Sequence, residues 1–171
     1  MSAHSLLLSP LRLRGLTLRN RVAVSPMCQY SSEDGHASDW HLVHLGARAV
    51  GGAGLVLTEA TAVEPAGRIS PQDLGLWKDE HVPALRRITD FLRAQGAAAG
   101  VQLAHAGRKA STSPPWQGGK QIPPDRGGWR TVAPSPVPQA EGEVPPLELD
   151  AAGLERIREA FVATAGRAVR L

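Results

Sequence analysis

Apolar residues recur along this chain in two alternating rhythms. Between residues 11 and 18 the rhythm is period two: Leu11-Arg12-Leu13, a turn at Arg14-Gly15, then Leu16-Thr17-Leu18. That pattern predicts a small β-hairpin. Residues 21–24, 54–57 and 98–103 are short, mostly apolar runs, the second continuing into Thr58-Glu59-Ala60. Their length and apolar character predict buried parallel strands. Between and after them the rhythm becomes helical. Leu42, Leu45, Ala49 and Val50 predict a helix over 40–50, with Ser38 or Asp39 as N-cap and Gly51-Gly52 as stop. Leu85, Ile88 and Leu92 predict a second over 79–95, opened by Asp79 and ended by Gly96. A third, capped by Asp150, carries Leu154, Ile157 and Phe161 on its predicted apolar face and runs to the end.

A hairpin followed by three strand–helix units predicts an α/β fold with a parallel sheet and helices outside it. Two connections are long, 64–78 and 107–149, the second rich in Pro, Gly and Trp. The stretch Gly51-Gly52-Ala53-Gly54 precedes a strand, whereas a dinucleotide fingerprint follows one. The unusual residues cluster just after the strands, where barrel enzymes keep their chemistry. The expectation is a partial (β/α)8 TIM barrel, an N-terminal hairpin plus about three βα units.

Composition narrows the function classes. The chain has 171 residues, 42% hydrophobic and 20% charged, which is globular. A net charge of +3, with both signs interleaved, gives no sign of a nucleic-acid or membrane-surface partner. Cys28 is the single cysteine, so no disulfide forms within the chain, and a reducing compartment suits it. No apolar stretch is long enough to span a bilayer. Residues 1–20, with Leu6-Leu7-Leu8 ahead of Pro10, Arg12 and Arg14, are too short and wrongly ordered for a signal peptide. The expected location is the cytoplasm.

Three clusters stand at strand ends. Ser25-Pro26-Met27-Cys28-Gln29-Tyr30-Ser31 joins a thiol and a phenol to a stiffened backbone. Residue types alone leave open whether Cys28 is a structural thiol or part of a site. Thr58 to Val63 contains Ala60, small enough either to pack in a barrel or to admit a flat ligand. In 101–109, Gln102 interrupts an apolar strand, and its amide both donates and accepts, as the edge of a heterocycle requires. His41 and His44 lack a third ligand nearby, which favours packing or capping over metal. His105 stays open between site and core. Trp77, Trp116 and Trp129 stand in loops, either shaping a site mouth or anchoring those loops.

Taken in order, Ser-Pro-Met-Cys-Gln-Tyr-Ser, Thr-Glu-Ala-Thr-Ala-Val, Asp73-Leu74-Gly75-Leu76-Trp77 with Asp79-Glu80-His81, and Gln-Leu-Ala-His-Ala-Gly-Arg-Lys-Ala resemble the old yellow enzyme family. The resemblance is to its thermophilic-like subgroup of NADPH dehydrogenases and xenobiotic reductases. Gly127 to Ser135 adds a similar third-loop segment. The resemblance implies a (β/α)8 barrel with FMN at its C-terminal mouth, reduced by NADPH, and an activated alkene as the small-molecule substrate. It implies that Ser25, Pro26, Met27 and Cys28 wrap the flavin, that Ala60 lies against the ring and that Gln102 meets its pyrimidine edge. Cys28 and Tyr30 become the catalytic candidates, Cys28 tuning the flavin and Tyr30 contacting substrate. Lys109 is a further substrate-side candidate. The full-length form is expected to be a homo-oligomer.

The family pattern continues past the third helix, so residues 1–171 are expected to be the N-terminal part of a single FMN-dependent barrel domain whose C-terminal half is missing. Catalysis by the chain alone is not expected. Alternatives are a non-catalytic truncated barrel or partner-binding pseudoenzyme, a dienoyl-CoA reductase-like flavoenzyme, and a barrel enzyme of another class such as an aldolase.

Overall fold

A computed structural model describes residues 5–171; the part of the N-terminal segment at residues 1–4 lies outside them. The hairpin is present as β1 (Leu11–Leu13) and β2 (Leu16–Leu18), antiparallel, with Leu11 opposite Leu18. A three-stranded parallel sheet follows in the order β3-β4-β5: Ala23–Val24, Leu55–Ala62 and Ala98–Ala104. Helices α1 (Asp39–Val50) and α2 (Val82–Ala94) connect these strands. The long connection after β5 contains β6 (Val132–Ala133) and β7 (Leu147–Glu148), a short parallel pair, before α3 (Ala151–Val169). The architecture is a partial (β/α)8 barrel: among the described residues the sheet is open and no closed barrel forms.

The core lies between the sheet and its helices. Leu45 and Ala49 of α1, Val56 of β4, Ile88 and Leu92 of α2, and Ala53 and Ala97 form one buried cluster. Leu74, Leu76, Val82 and Leu85 form a second, against which Ala168 and Leu171 pack. Gly46 lets α1 and α2 meet closely, since a Cβ there would stand 2.8 Å from the Phe91 ring. Arg19 fastens the helix ends. Its guanidinium donates to the carbonyls of Ala49 at 2.8 Å and Gln95 at 2.7 Å, where α1 and α2 finish and a cation is favoured.

Several predicted boundaries shift for local reasons. β4 runs five residues beyond Leu57, because Ala60, Thr61 and Ala62 keep pairing with β5 after a bulge. Asp79 does not cap α2; it sits in a 3-10 turn (Asp79–His81), and its carboxylate accepts from Arg167 and Arg170 at 2.8 Å each. Val50 is 64% exposed, a step of about 100° past the buried Ala49 on the helix wheel. On α3, Leu154 is likewise exposed. Its inward stripe is Gly153, Ile157, Ala160, Phe161, Thr164 and Ala168, all half-buried except Thr164, which is fully buried. Asp150 caps α3 as predicted, accepting from the Gly153 N–H at 2.7 Å.

Candidate active site

The C-terminal ends of β3, β4 and β5 bring the three clusters together. Bulging of β4 between Leu57 and Ala60 places Ala60 in register with Gln102. Gly100 stands opposite Leu57, and a Cβ on it would lie 2.5 Å from the Leu57 side chain, so Gly100 belongs to the same sheet face as Leu57. Gln102, two residues on, shares the Gly100 face by strand alternation and is exposed. Ser25 and Met27 are also exposed, Met27 at 47%, while Pro26 and Cys28 are half-buried. The result is a floor of small residues edged by an amide, a hydroxyl and a thiol.

The segment bearing Cys28 and Tyr30 is held from below. Glu59 is 3% exposed, and its Oε2 accepts the Gln29 backbone N–H at 2.9 Å. Its Oε1 is 3.0 Å from His41 Nε2. His41 Nδ1 accepts the Ser38 N–H at 2.9 Å, which leaves Nε2–H to donate to Glu59. Thus His41 closes a capping box with Ser38 at the start of α1 while orienting the carboxylate that pins the segment bearing Cys28 and Tyr30. Among the described residues no group of three or more His, Cys, Asp or Glu is placed to hold a metal ion; His41 caps α1, and His44 is buried on the same helix.

Cys28 is a neutral thiol at ordinary pH. Burial first, then the carboxylates of Asp73 and Glu59, push it up to about 11, against a smaller opposing pull from the Ala60 backbone N–H. Burial also raises Tyr30, with Cys28 the next cause. Tyr30 has a backbone φ of 49°, the left-handed region that a bulky residue rarely occupies. Its ring meets Trp116 edge to face, centroids 5.4 Å apart at 84°.

Three loops are knitted around this segment. The Ser32 N–H donates to Gln72 O at 2.9 Å and the Thr112 N–H to Ile69 O at 2.7 Å. Arg68 lies between Trp77 and Trp129, 5.4 and 5.0 Å from the two rings, and the Trp129 indole N–H donates to Ala66 O at 3.0 Å. Asp73 is buried beneath, with Oδ2 accepting the Ile69 N–H at 2.7 Å and Oδ1 unpartnered among the described residues; burial raises it to about 7. His105 resolves as structural. Its Nδ1 accepts the Gly107 N–H at 3.0 Å and its Nε2–H donates to Glu64 at 2.8 Å, a carboxylate also paired with Arg156 of α3. Lys109 ends a 3-10 turn (Gly107–Lys109) and is exposed. Sequence reasoning passed over Glu59; the signal was an acidic residue inside an apolar strand end.

The NADH:flavin oxidoreductase / NADH oxidase family profile matches residues 6–170. The chain belongs to this FMN-dependent family. It is 47% identical over 166 residues to an NADPH dehydrogenase of Listeria monocytogenes, covering 96% of this chain and 45% of that protein. With an NADH:flavin oxidoreductase of Gibberella zeae it shares 44% identity over 173 residues, 99% of this chain and 42% of the relative. Among solved structures, morphinone reductase in complex with tetrahydroNAD matches with a TM-score of 0.79 and 27% identity over 96% of this chain and 46% of that one. An old yellow enzyme from a Pichia species matches with a TM-score of 0.81 at 23% identity, over 98% and 44% of the two chains, a likeness of fold. The chain spans about half the length of the relatives it matches. Among the described residues no helix is long and apolar enough to cross a membrane.

Proposed function

We propose that this chain supplies the isoalloxazine-facing half of an ene-reductase, which takes hydride from NADPH and delivers it to an alkene conjugated to a carbonyl or nitro group. The observation that carries the reading is the pairing of Ala60 with Gln102 beside the Cys28 thiol. A flat heteroaromatic ring needs a floor without bulk and donors and acceptors at its edge; Ala60, Gly100 and Gln102 meet both needs. FMN fits these residues, and when bound it supplies the two-electron chemistry that no side chain here can perform.

Ser25, Pro26, Met27, Cys28, Ala60 and Gln102 hold the ring in this reading. Gln102 offers its amide to the pyrimidine edge. Cys28, kept protonated by burial, acts as a weak donor and polarizable neighbour rather than as a nucleophile. Tyr30 presents its phenol to the acceptor, with Glu59 and the left-handed backbone fixing its position. Lys109 contributes from the rim. The rest of the (β/α)8 domain supplies the phosphate site and closes the sheet, so residues 1–171 alone are an inactive part of a cytoplasmic, homo-oligomeric enzyme.

The test is anaerobic stopped-flow on the holoenzyme that contains these residues. Bleaching of the flavin band by NADPH, then its return on adding 2-cyclohexenone with the saturated ketone as product, supports the reading. A protein that purifies without flavin, or a flavin that NADPH reduces and no activated alkene reoxidises, contradicts it.

A further inference from the structure

The three loop tryptophans are held very differently. Trp129 is half-buried, donates its indole N–H to Ala66 O at 3.0 Å and stacks on Arg68. Trp77 is half-buried and packs on the same guanidinium and edge-on to His81. Both have the contacts of residues that anchor loops. Trp116 is 68% exposed, and its aromatic neighbour is Tyr30.

The segment presenting Trp116 is nonetheless well fastened. Thr112 bridges Gln121, the Ser113 N–H donates to Lys120 O at 2.9 Å, and the Lys120 N–H returns a bond to Ser113 Oγ at 3.2 Å. Pro114 and Pro115 stiffen the approach, and the Gln117 N–H donates to Pro114 O at 2.8 Å. An indole carried on a backbone fastened in this way loses less conformational freedom on meeting a ligand than one on a loose loop. The Trp116 ring plane is nearly perpendicular to that of Tyr30. Together the two make an aromatic corner beside the Cys28 thiol, open on one side.

Resting on the function proposed above, we infer that Trp116 is the specificity-determining wall of the acceptor site, and that it favours acceptors whose conjugated alkene extends into a flat aromatic body. Short linear acceptors reach Tyr30 without touching it. Trp116 takes no part in the chemistry; it adds stacking area to one substrate class.

The experiment compares wild-type, Trp116→Ala and Trp116→Phe holoenzymes with cinnamaldehyde and acrolein as acceptors. In parallel, calorimetry follows benzaldehyde, which is flat and has no reducible alkene, binding to the oxidised holoenzyme without NADPH. Trp116→Ala is expected to lower the cinnamaldehyde-to-acrolein ratio of kcat/KM roughly 3- to 10-fold, the size of one aromatic pair, chiefly through the cinnamaldehyde KM. Benzaldehyde affinity falls by a similar factor, and Trp116→Phe restores most of both. An unchanged ratio in a yellow, active Trp116→Ala enzyme overturns the inference and leaves the proposed function standing. An equal loss with both acceptors overturns it too, making Trp116 a loop anchor. A wild-type protein that holds no flavin removes the proposed function itself and this inference with it.

Discussion

The Glu59 carboxylate accepts the Gln29 backbone N–H at 2.9 Å, so the segment that carries Cys28 and Tyr30 hangs from the neighbouring strand rather than from its own. Because Glu59 is buried and also takes the His41 Nε2–H, its loss strands two donors at once. Glu59→Ala is expected to destabilise the fold by about 3 kcal/mol or more in urea unfolding. A loss below about 1 kcal/mol, the net worth of one ordinary hydrogen bond, is inconsistent with this role.

Cys28 tests the electrostatics of the pocket directly. With its thiol raised to about 11 by burial and by Asp73 and Glu59, alkylation by iodoacetamide is expected to be slow at neutral pH. The rate should climb as pH approaches about 11. Rapid alkylation with a plateau below the ordinary thiol range would show a stabilised thiolate and refute the neutral-donor role.

Asp73 leaves a pH signature on stability. Burial raises its carboxyl from 3.8 to about 7, so between those values the folded state holds a proton that the unfolded chain has released. Stability therefore falls as pH rises through that window, by up to ~1.4 kcal/mol per pH unit, and levels off above it. His81, buried and lowered to about 4, works in the opposite sense: between about 4 and its usual 6.5 the unfolded chain binds the proton and stability rises with pH. Subtracting the wild-type profile from that of Asp73→Asn isolates the carboxyl. The variant's relative stability should grow across the Asp73 window; a difference that stays flat with pH would mean the carboxylate is solvated.

The roles proposed for Gln102 and Tyr30 are told apart by variants of each. Gln102→Ala is expected to weaken FMN by ~1–3 kcal/mol in titrations of the full-length apoenzyme, since it leaves polar atoms at the ring edge unpaired. Tyr30→Phe should keep near-normal flavin content and slow the alkene half-reaction in stopped flow. The reverse pattern would exchange the two roles.

Much of this arrangement was legible before the structure. Period-two and helical rhythms placed the hairpin, the three strands and three helices, because each element buries one face against the same core. The motif order placed Cys28, Ala60 and Gln102 at adjacent strand ends. What was not legible depends on contacts between distant segments. Leu154 and Val50 look apolar-faced by spacing, yet what covers each helix decides which face is buried. Asp79 has the sequence position of a cap, but Arg167 of α3 and Arg170 just past its end claim it. Glu59 gave only the oddity of a charge in an apolar strand, since its partners His41 and Gln29 come from other elements. The Trp116–Tyr30 contact joins loops after two different strands.

Residues 1–171 are proposed to carry the ring-facing part of a flavin site and to need the rest of the barrel to work. The most direct test of that proposal is the visible absorbance and NADPH consumption of the purified 171-residue chain. The chain is measured alone and after co-expression with the C-terminal half of the Listeria monocytogenes NADPH dehydrogenase. Alone, the chain is expected to be colourless and poorly soluble or associated, because the sheet face carrying Leu57 and Gly100 is only half-buried and charge-assisted phosphate contacts are not supplied. Yellow colour and enone-dependent NADPH oxidation are expected only in the combination. A soluble yellow monomer of the 171-residue chain that reduces an enone by itself would contradict the proposal.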